Sequence, residues 1–352
     1  MVRVFFAVCF LFTLGAVGEA EAPFYGDKQD LLRVIDEGGA VHAVTSVDGW
    51  NKRREHVLAN MQAVMGPLPT HPRGDLDIQV VAEEVFPTYT RKQITIAVEP
   101  GDRLSAYLSI PHHITGKTAG IVALHQTYAR GKDEVMGRNG SNNLRYGHEL
   151  AERGYVVIAP DYPRFGGYDI DVYAMGYESA TMKGIWNHMR CVDLLQQLPE
   201  VDPERIGAIG HSLGGHNTLF VGAFDPRIKA LVTSCGFTRF PRYYEGDLTG
   251  WTHAGYMPAI ASTYGKVAAK LPFDFTEILG VIAPRSVFIN APLRDSNFDF
   301  VGVEECVASA QPVYGLFGAT EALVAAYPDC EHDFPPAQRS AAYEMLDRVL
   351  RP

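Results

Sequence analysis

The chain has 352 residues, 47% of them hydrophobic and 20% charged, a balance that excludes disordered, collagen-like and disulfide-scaffold chains. Lys and Arg total 31 against 41 Asp and Glu, a formal net charge of −10. That charge repels phosphate backbones and anionic lipid, so no nucleic acid or membrane-surface partner is expected. Five cysteines cannot scaffold a chain this long, and stability has to come from hydrophobic burial.

Residues 1–22 read as a secretory signal. Arg3 gives the positive start, residues 4–17 are an uncharged apolar run, and Gly18, Ala20 and Ala22 supply small residues for cleavage after Ala20 or Ala22. The run falls short of the roughly 20 residues that span a bilayer. Export to periplasm or medium is therefore expected, with no stable membrane insertion after cleavage. An oxidising compartment would let Cys191, Cys235, Cys306 and Cys330 pair in any of three ways. Cys306–Cys330 is the first pair to expect, and four buried free thiols is the competing reading. None has a metal-ligand spacing.

Trp50, Val57, Leu58, Met61 and Met65 have helical spacing over residues 48–65, and Gly66-Pro67 stops that helix. Strands follow at 78–85, 92–98 and 103–110, the last two joined by the turn Glu99-Pro100-Gly101-Asp102 into a hairpin. The rhythm then changes. An apolar strand at 120–124 precedes a helix at 144–153, a strand at 155–159, a helix at 179–198 and a strand at 205–209. A helix at 216–223, strands at 229–234, 286–290 and 322–327, and a helix at 337–350 complete the series. Alternation of this kind predicts an α/β fold: a mainly parallel central sheet with helices on both faces and an antiparallel N-terminal edge. Residues 23–90 form an N-terminal extension and 91–352 the catalytic domain. The stretch 236–280, with Trp251, His253, Tyr256 and Tyr264, is too long for a simple connection and is expected to be a small cap.

The strand at 205–209 runs into Gly210-His211-Ser212-Leu213-Gly214-Gly215 and then a helix. This is the G-x-S-x-G nucleophile elbow. A sharp strand-to-helix turn lifts the Ser212 hydroxyl above the sheet and aims the helix N-terminus at it, with the Leu213 N–H as first oxyanion donor. Gly210 and Gly214 are needed where a side chain would strike a neighbouring element. A serine hydroxyl needs a base held by an acid, in the chain order Ser, acid, His. His332 follows the last strand, at the sheet edge where the base belongs. His216 on the elbow helix and His253 in the cap read as packing or substrate-side groups. Asp295 is the first carboxylate after the strand at 286–290, with Asp299 as the alternative acid. The second oxyanion donor is expected after the strand at 120–124, from the N–H of Thr127 or alternatively Gln126. His125 is a weaker candidate for the base.

Tyr128, His211 and Trp251 are candidate substrate contacts. With Trp186, Tyr243, Tyr244 and Tyr256, two of them could build a sugar-stacking wall, although core packing is the commoner use of such rings. Asp161, Arg164 and Asp193 read as structural, and His112-His113 as an exposed loop pair.

With Ser212, Asp295 and His332 on this strand pattern, the chain resembles the α/β-hydrolases. It is most similar to their dienelactone hydrolase and acetyl xylan esterase side, including secreted bacterial esterases. The resemblance runs from about residue 103 to the C-terminus. It rests on the elbow and on Gly154-Tyr155-Val156-Val157-Ile158-Ala159-Pro160-Asp161-Tyr162, Val201-Asp202-Pro203-Glu204-Arg205-Ile206-Gly207 and Ala283-Pro284-Arg285. It implies carboxylic ester hydrolysis through an acyl-enzyme, without metal or organic cofactor, on a small-molecule or oligosaccharide ester. Ser212 replaces the cysteine nucleophile typical of dienelactone hydrolases. Leu213 after the serine departs from the Gly-Cys-Ser-Arg elbow of glucuronoyl esterases. Two other readings stand beside the esterase: a serine peptidase of prolyl oligopeptidase type, and a non-catalytic binding protein on the same fold.

Overall fold

The computed structural model describes residues 22–351, so the expected signal lies, apart from Ala22, outside the described residues. The chain opens with a short hairpin, β1 (Arg33–Ile35) and β2 (Val41–Ala43), then α1 (Val47–Met65). The Ser46 hydroxyl caps α1 by accepting the Gly49 N–H, and Gly66 ends it with φ 86°. Strands β3 (Gln79–Val85), β4 (Tyr89–Glu99) and β5 (Asp102–Pro111) form the antiparallel part of the sheet.

The alternating part comprises β6 (Thr118–Leu124), α2 (Tyr146–Glu152), β7 (Val156–Pro160), α3 (Ala180–Gln197), β8 (Val201–His211), α4 (Leu213–Phe224) and β9 (Ile228–Ser234). After it come α5 (Ala259–Ser262), α6 (Phe275–Ile282), β10 (Ser286–Asn290), α7 (Phe300–Leu316), β11 (Leu323–Ala326) and α8 (Pro336–Leu350). The sheet order is β11-β10-β9-β8-β6-β7-β5-β4-β3. Pairing is parallel from β7 through β6, β8, β9 and β10 to β11, and antiparallel from β7 through β5 and β4 to β3. This is the α/β-hydrolase arrangement anticipated above.

Helices α2 and α8 cover one face, where Tyr146, Leu150, Leu346 and Leu350 are buried. The other face takes α1, α3, α4, α6 and α7, with Trp50, Met61, Trp186, Phe220, Ile278 and Val303 in one continuous core. The N-terminal extension is thus built into the main core. Its α1 is tied to α6 by a fully buried ion pair between Arg53 and Glu277. Lys183 of α3, also fully buried, pairs with Glu99 and with Asp102 at 2.6 Å. At the far margin β3 is exposed along its whole length. Ile78, just ahead of it, and Val80, Val81 and Val85 along it are open to solvent, and a bulge falls between Val80 and Ala82.

Three differences from the sequence reading have physical causes. Strand β8 starts at Val201 rather than 205 because Val201 pairs with Thr118 of β6 across a register shift. The stretch 236–280 divides in two. Residues 240–270 form short helical turns, whereas α6 belongs to the layer that packs on α4 and α7, its start fixed by a capping box of Asp274 and Glu277. The expected Cys306–Cys330 pair does not form, and all four cysteines are free. Cys306 faces inward from α7, next to Asp274 and Arg239. Cys330 is half-buried in the loop after β11 and keeps company with Arg294, Asp295 and Asp333.

Candidate active site

The carboxyl ends of β6 and β8 lie side by side, Leu124 opposite Gly210, so the loops leaving them meet at the sheet edge where α/β folds bind ligands. Between β8 and α4 stands Ser212, at φ 53° and ψ −117°. That backbone region costs a non-glycine residue about 1–3 kcal/mol and persists only where the surroundings enforce it. Here they do. The Ser212 N–H donates to Ser234 O at 2.8 Å, and the Ser212 carbonyl accepts from Gly215 and His216. A Cβ on Gly210 would lie 2.1 Å from Gly214 O, and one on Gly214 would lie 2.0 Å from Leu124 O. Both positions therefore require glycine. As the first residue of α4, Leu213 contributes one of the N–H groups that a helix leaves unpaired at its start.

The loops after β10 and β11 are laced together by Leu293 N to Pro328 O and Arg294 N to Cys330 O. This lacing brings Asp295 to His332. The imidazole Nδ1 lies 2.9 Å from both carboxylate oxygens. The Asp295 carboxyl is 1% exposed, and Oδ1 also accepts the N–H groups of Asn297 and Phe298. His332 keeps 23% of its side chain open, wedged between the rings of His211 and Phe298. Asp299 does something else: its carboxylate accepts the Val301 N–H as the N-cap of α7. His216 is buried under Gly236 O and its pKa is pushed down to about 3 by that burial, so it stays neutral. His253 sits in the 240–270 segment against Tyr256.

After β6 the His125 ring bridges two backbone groups. Its Nε2 accepts the Tyr162 N–H at 2.9 Å, so its Nδ1 carries the proton and donates to Gln126 O at 2.6 Å. His125 is fully buried and burial lowers its pKa, which fits this neutral tautomer and no role as base. A trans peptide directs its C=O and N–H to opposite sides. With Gln126 O turned to the buried ring, the Thr127 N–H faces the other way. The Gln126 side chain is drawn off to Glu134 at 2.5 Å, while Thr127 is exposed with its side chain near the Tyr256 hydroxyl.

Of the candidate substrate contacts, Tyr128 is half-buried beside Thr127. His211 and Trp251 are closed off: His211 lies beneath His332, and Trp251 is packed among His216, Phe240, Tyr243 and Tyr256. Trp186 is likewise core, its indole N–H given to Val98 O. Tyr244 is exposed and donates to Asn297 on the loop of Asp295. Among the described residues the group compact enough to hold a cation is Cys235, Asp295 and His332, whose ligand atoms lie within 4.8 Å of one another. It fits a metal poorly. Burial and the Asp295 carboxylate push the Cys235 thiol well up, keeping it protonated, and the other two side chains already bind each other. Sequence reasoning treated Cys235 only as a possible disulfide partner; its place beside Asp295 and His332, on a left-handed backbone (φ 47°), comes from the structure.

Elbow, buried carboxylate and imidazole on this sheet define an α/β-hydrolase. Residues 145–349, more than half of the chain, match the model of the prolyl oligopeptidase family, and the chain belongs to that family. It is 24% identical to YtaP of Bacillus subtilis (strain 168), a protein named as a hydrolase, over 73% of this chain and 87% of that one. It is also 24% identical to carbohydrate esterase MZ0003 from an unknown prokaryotic organism, over 85% of this chain and 80% of that one. Among solved structures it is similar to the glucuronoyl esterase from Solibacter usitatus, with a TM-score of 0.74 and 20% identity over 95% of this chain and all of that one. No helix among the described residues is long and apolar enough to cross a membrane.

Proposed function

We propose that the protein is an exported serine esterase that hydrolyses short-acyl esters of carbohydrates through an acyl-enzyme. The observation that carries the reading is the His332 imidazole held at 2.9 Å by the buried Asp295 carboxylate, next to an elbow that forces Ser212 into a left-handed backbone. In the reaction His332 Nε2 takes the Ser212 proton while Oγ attacks the ester carbonyl. Asp295 holds the tautomer and stabilises the imidazolium. The Leu213 and Thr127 N–H groups receive the oxyanion, each worth about 3 kcal/mol of transition-state stabilisation. The imidazolium then protonates the departing alcohol, and water repeats the sequence on the acyl group. No step calls for a metal or organic cofactor.

A carbohydrate ester as substrate is favoured by the carbohydrate and glucuronoyl esterases among the relatives. A short acyl group rests on the resemblance noted in the sequence, where Leu213 replaces the arginine of glucuronoyl elbows. Export rests on residues 1–22. The family also favours a second reading, cleavage of peptides after proline.

Three measurements decide. Turnover of p-nitrophenyl acetate should exceed that of the octanoate, and Ser212→Ala should abolish both turnover and labelling by a fluorophosphonate. Prolyl p-nitroanilides should remain intact; their cleavage at a rate above that of the acetate would make the protein a peptidase.

A further inference from the structure

Nucleophile and base lie 120 residues apart in sequence, and something must fix one against the other. His211, Ser234 and Asn290 form one row across β8, β9 and β10, His211 opposite Ser234 and Ser234 opposite Asn290. Residues in one row share a face of the pleat, and all three are buried. The Asn290 Nδ2 donates to Ser234 Oγ at 2.8 Å and to Asp333 O, the carbonyl following the base, at 2.9 Å. Ser234 Oγ in turn bonds His211 Nδ1 at 2.9 Å, and Ser234 O accepts the N–H of Ser212 itself. The amide orientation is forced, since a carbonyl such as Asp333 O can only accept. The His211 ring then stands edge-on to His332, 4.8 Å between centroids. A continuous buried chain thus runs from the nucleophile's backbone through Ser234 and Asn290 to the loop of the base.

We propose that Asn290 is a positioning residue that sets the separation of Ser212 and His332 by joining the elbow, through Ser234, to the Asp333 carbonyl. The proposal rests on His332 being the base. Asn290 touches no reacting atom, and its effect passes through the backbone it holds. Neutral hydrogen bonds inside a buried network are mutually reinforcing, and losing the central donor strands the groups on either side.

The test uses the full chain. Asn290→Asp keeps the shape but turns a donor into an acceptor facing Asp333 O; the carboxyl regains a donor only when protonated. At pH 8 kcat for p-nitrophenyl acetate should fall about 10–100-fold with KM within about twofold, the loss expected for a displaced base. The ratio of variant to wild-type kcat should climb several-fold toward pH 5.5 for Asn290→Asp and stay flat for Asn290→Leu. Ser234→Ala should show the same kcat-only loss, and adding it to Asn290→Asp should cost little more. Should Asn290→Asp fail to fold, Ser234→Ala alone must show that loss. A wild-type kcat in these variants, a flat ratio for Asn290→Asp, or losses that multiply would overturn the proposal. If His332→Ala retains full turnover, the assignment of the base fails instead, a result separate from any obtained at Asn290.

Discussion

Around the elbow, backbone lies directly on backbone: Gly214 against Leu124 O, Gly215 against the Gly236 Cα, Ser212 N on Ser234 O. In the layer built by residues 22–111, buried charges do the fastening, with Arg53 on Glu277 and Lys183 on Glu99 and Asp102. The first kind of join leaves no room and fixes atoms closely, as chemistry requires. The second is sensitive to the loss of one partner but sits away from the reacting groups. Errors in the two regions should therefore read out differently, one in rate and the other in stability.

The largest expected effect is on rate. Asp295→Asn keeps the shape but favours the wrong tautomer of His332, and kcat should drop by about 10⁴-fold. The same change at Asp299, which only caps α7, should cost well under tenfold in a steady-state assay. Gly214→Ala comes next. A methyl 2.0 Å from a backbone oxygen has nowhere to move, so destabilisation of several kcal/mol is expected in denaturant melts, together with lost activity.

Arg53→Met crosses to the other region. It leaves a buried carboxylate without its partner, at about 3–5 kcal/mol, while kcat of the protein that remains folded should be unchanged. The smallest effect is a pH slope. Burial raises the Glu277 carboxyl to about 7, against the pull of Arg53 and Lys28. The native state then holds more protons than the unfolded chain between about pH 4.5 and 7, so stability should fall as pH rises through that window. The fall should approach roughly 1 kcal/mol per pH unit. Urea unfolding at pH 5, 6 and 7 would measure the slope, and Glu277→Gln should flatten it.

Much of this was legible in the chain. Strand periods, the turn at Pro100-Gly101 and the elbow are local signals, and the order Ser212, Asp295, His332 is a property of the topology they imply. What stayed hidden depends on neighbours distant in sequence. Nothing near Trp251 says that six rings surround it, and nothing near Cys306 says that its helix buries the thiol. The β1–β2 hairpin, three residues a side, is too short to show a period. Asn290 reads as the last residue of an apolar strand until the register sets it beside Ser234. The role of Gln126 likewise depends on His125 reaching the Tyr162 N–H.

The sheet's open margin bears on how the molecule behaves in company. Ile78, Val80, Val81 and Val85 would welcome a neighbour's strand, but the bulge after Val80 throws any such partner out of step within a few residues. Glu83 and Glu84, already engaged by Lys92, Arg91 and Arg138, would oppose the like charges of a second copy. Stacking into ribbons should thereby be arrested at its first rung, so the open margin is expected to leave copies of the chain unpaired along β3.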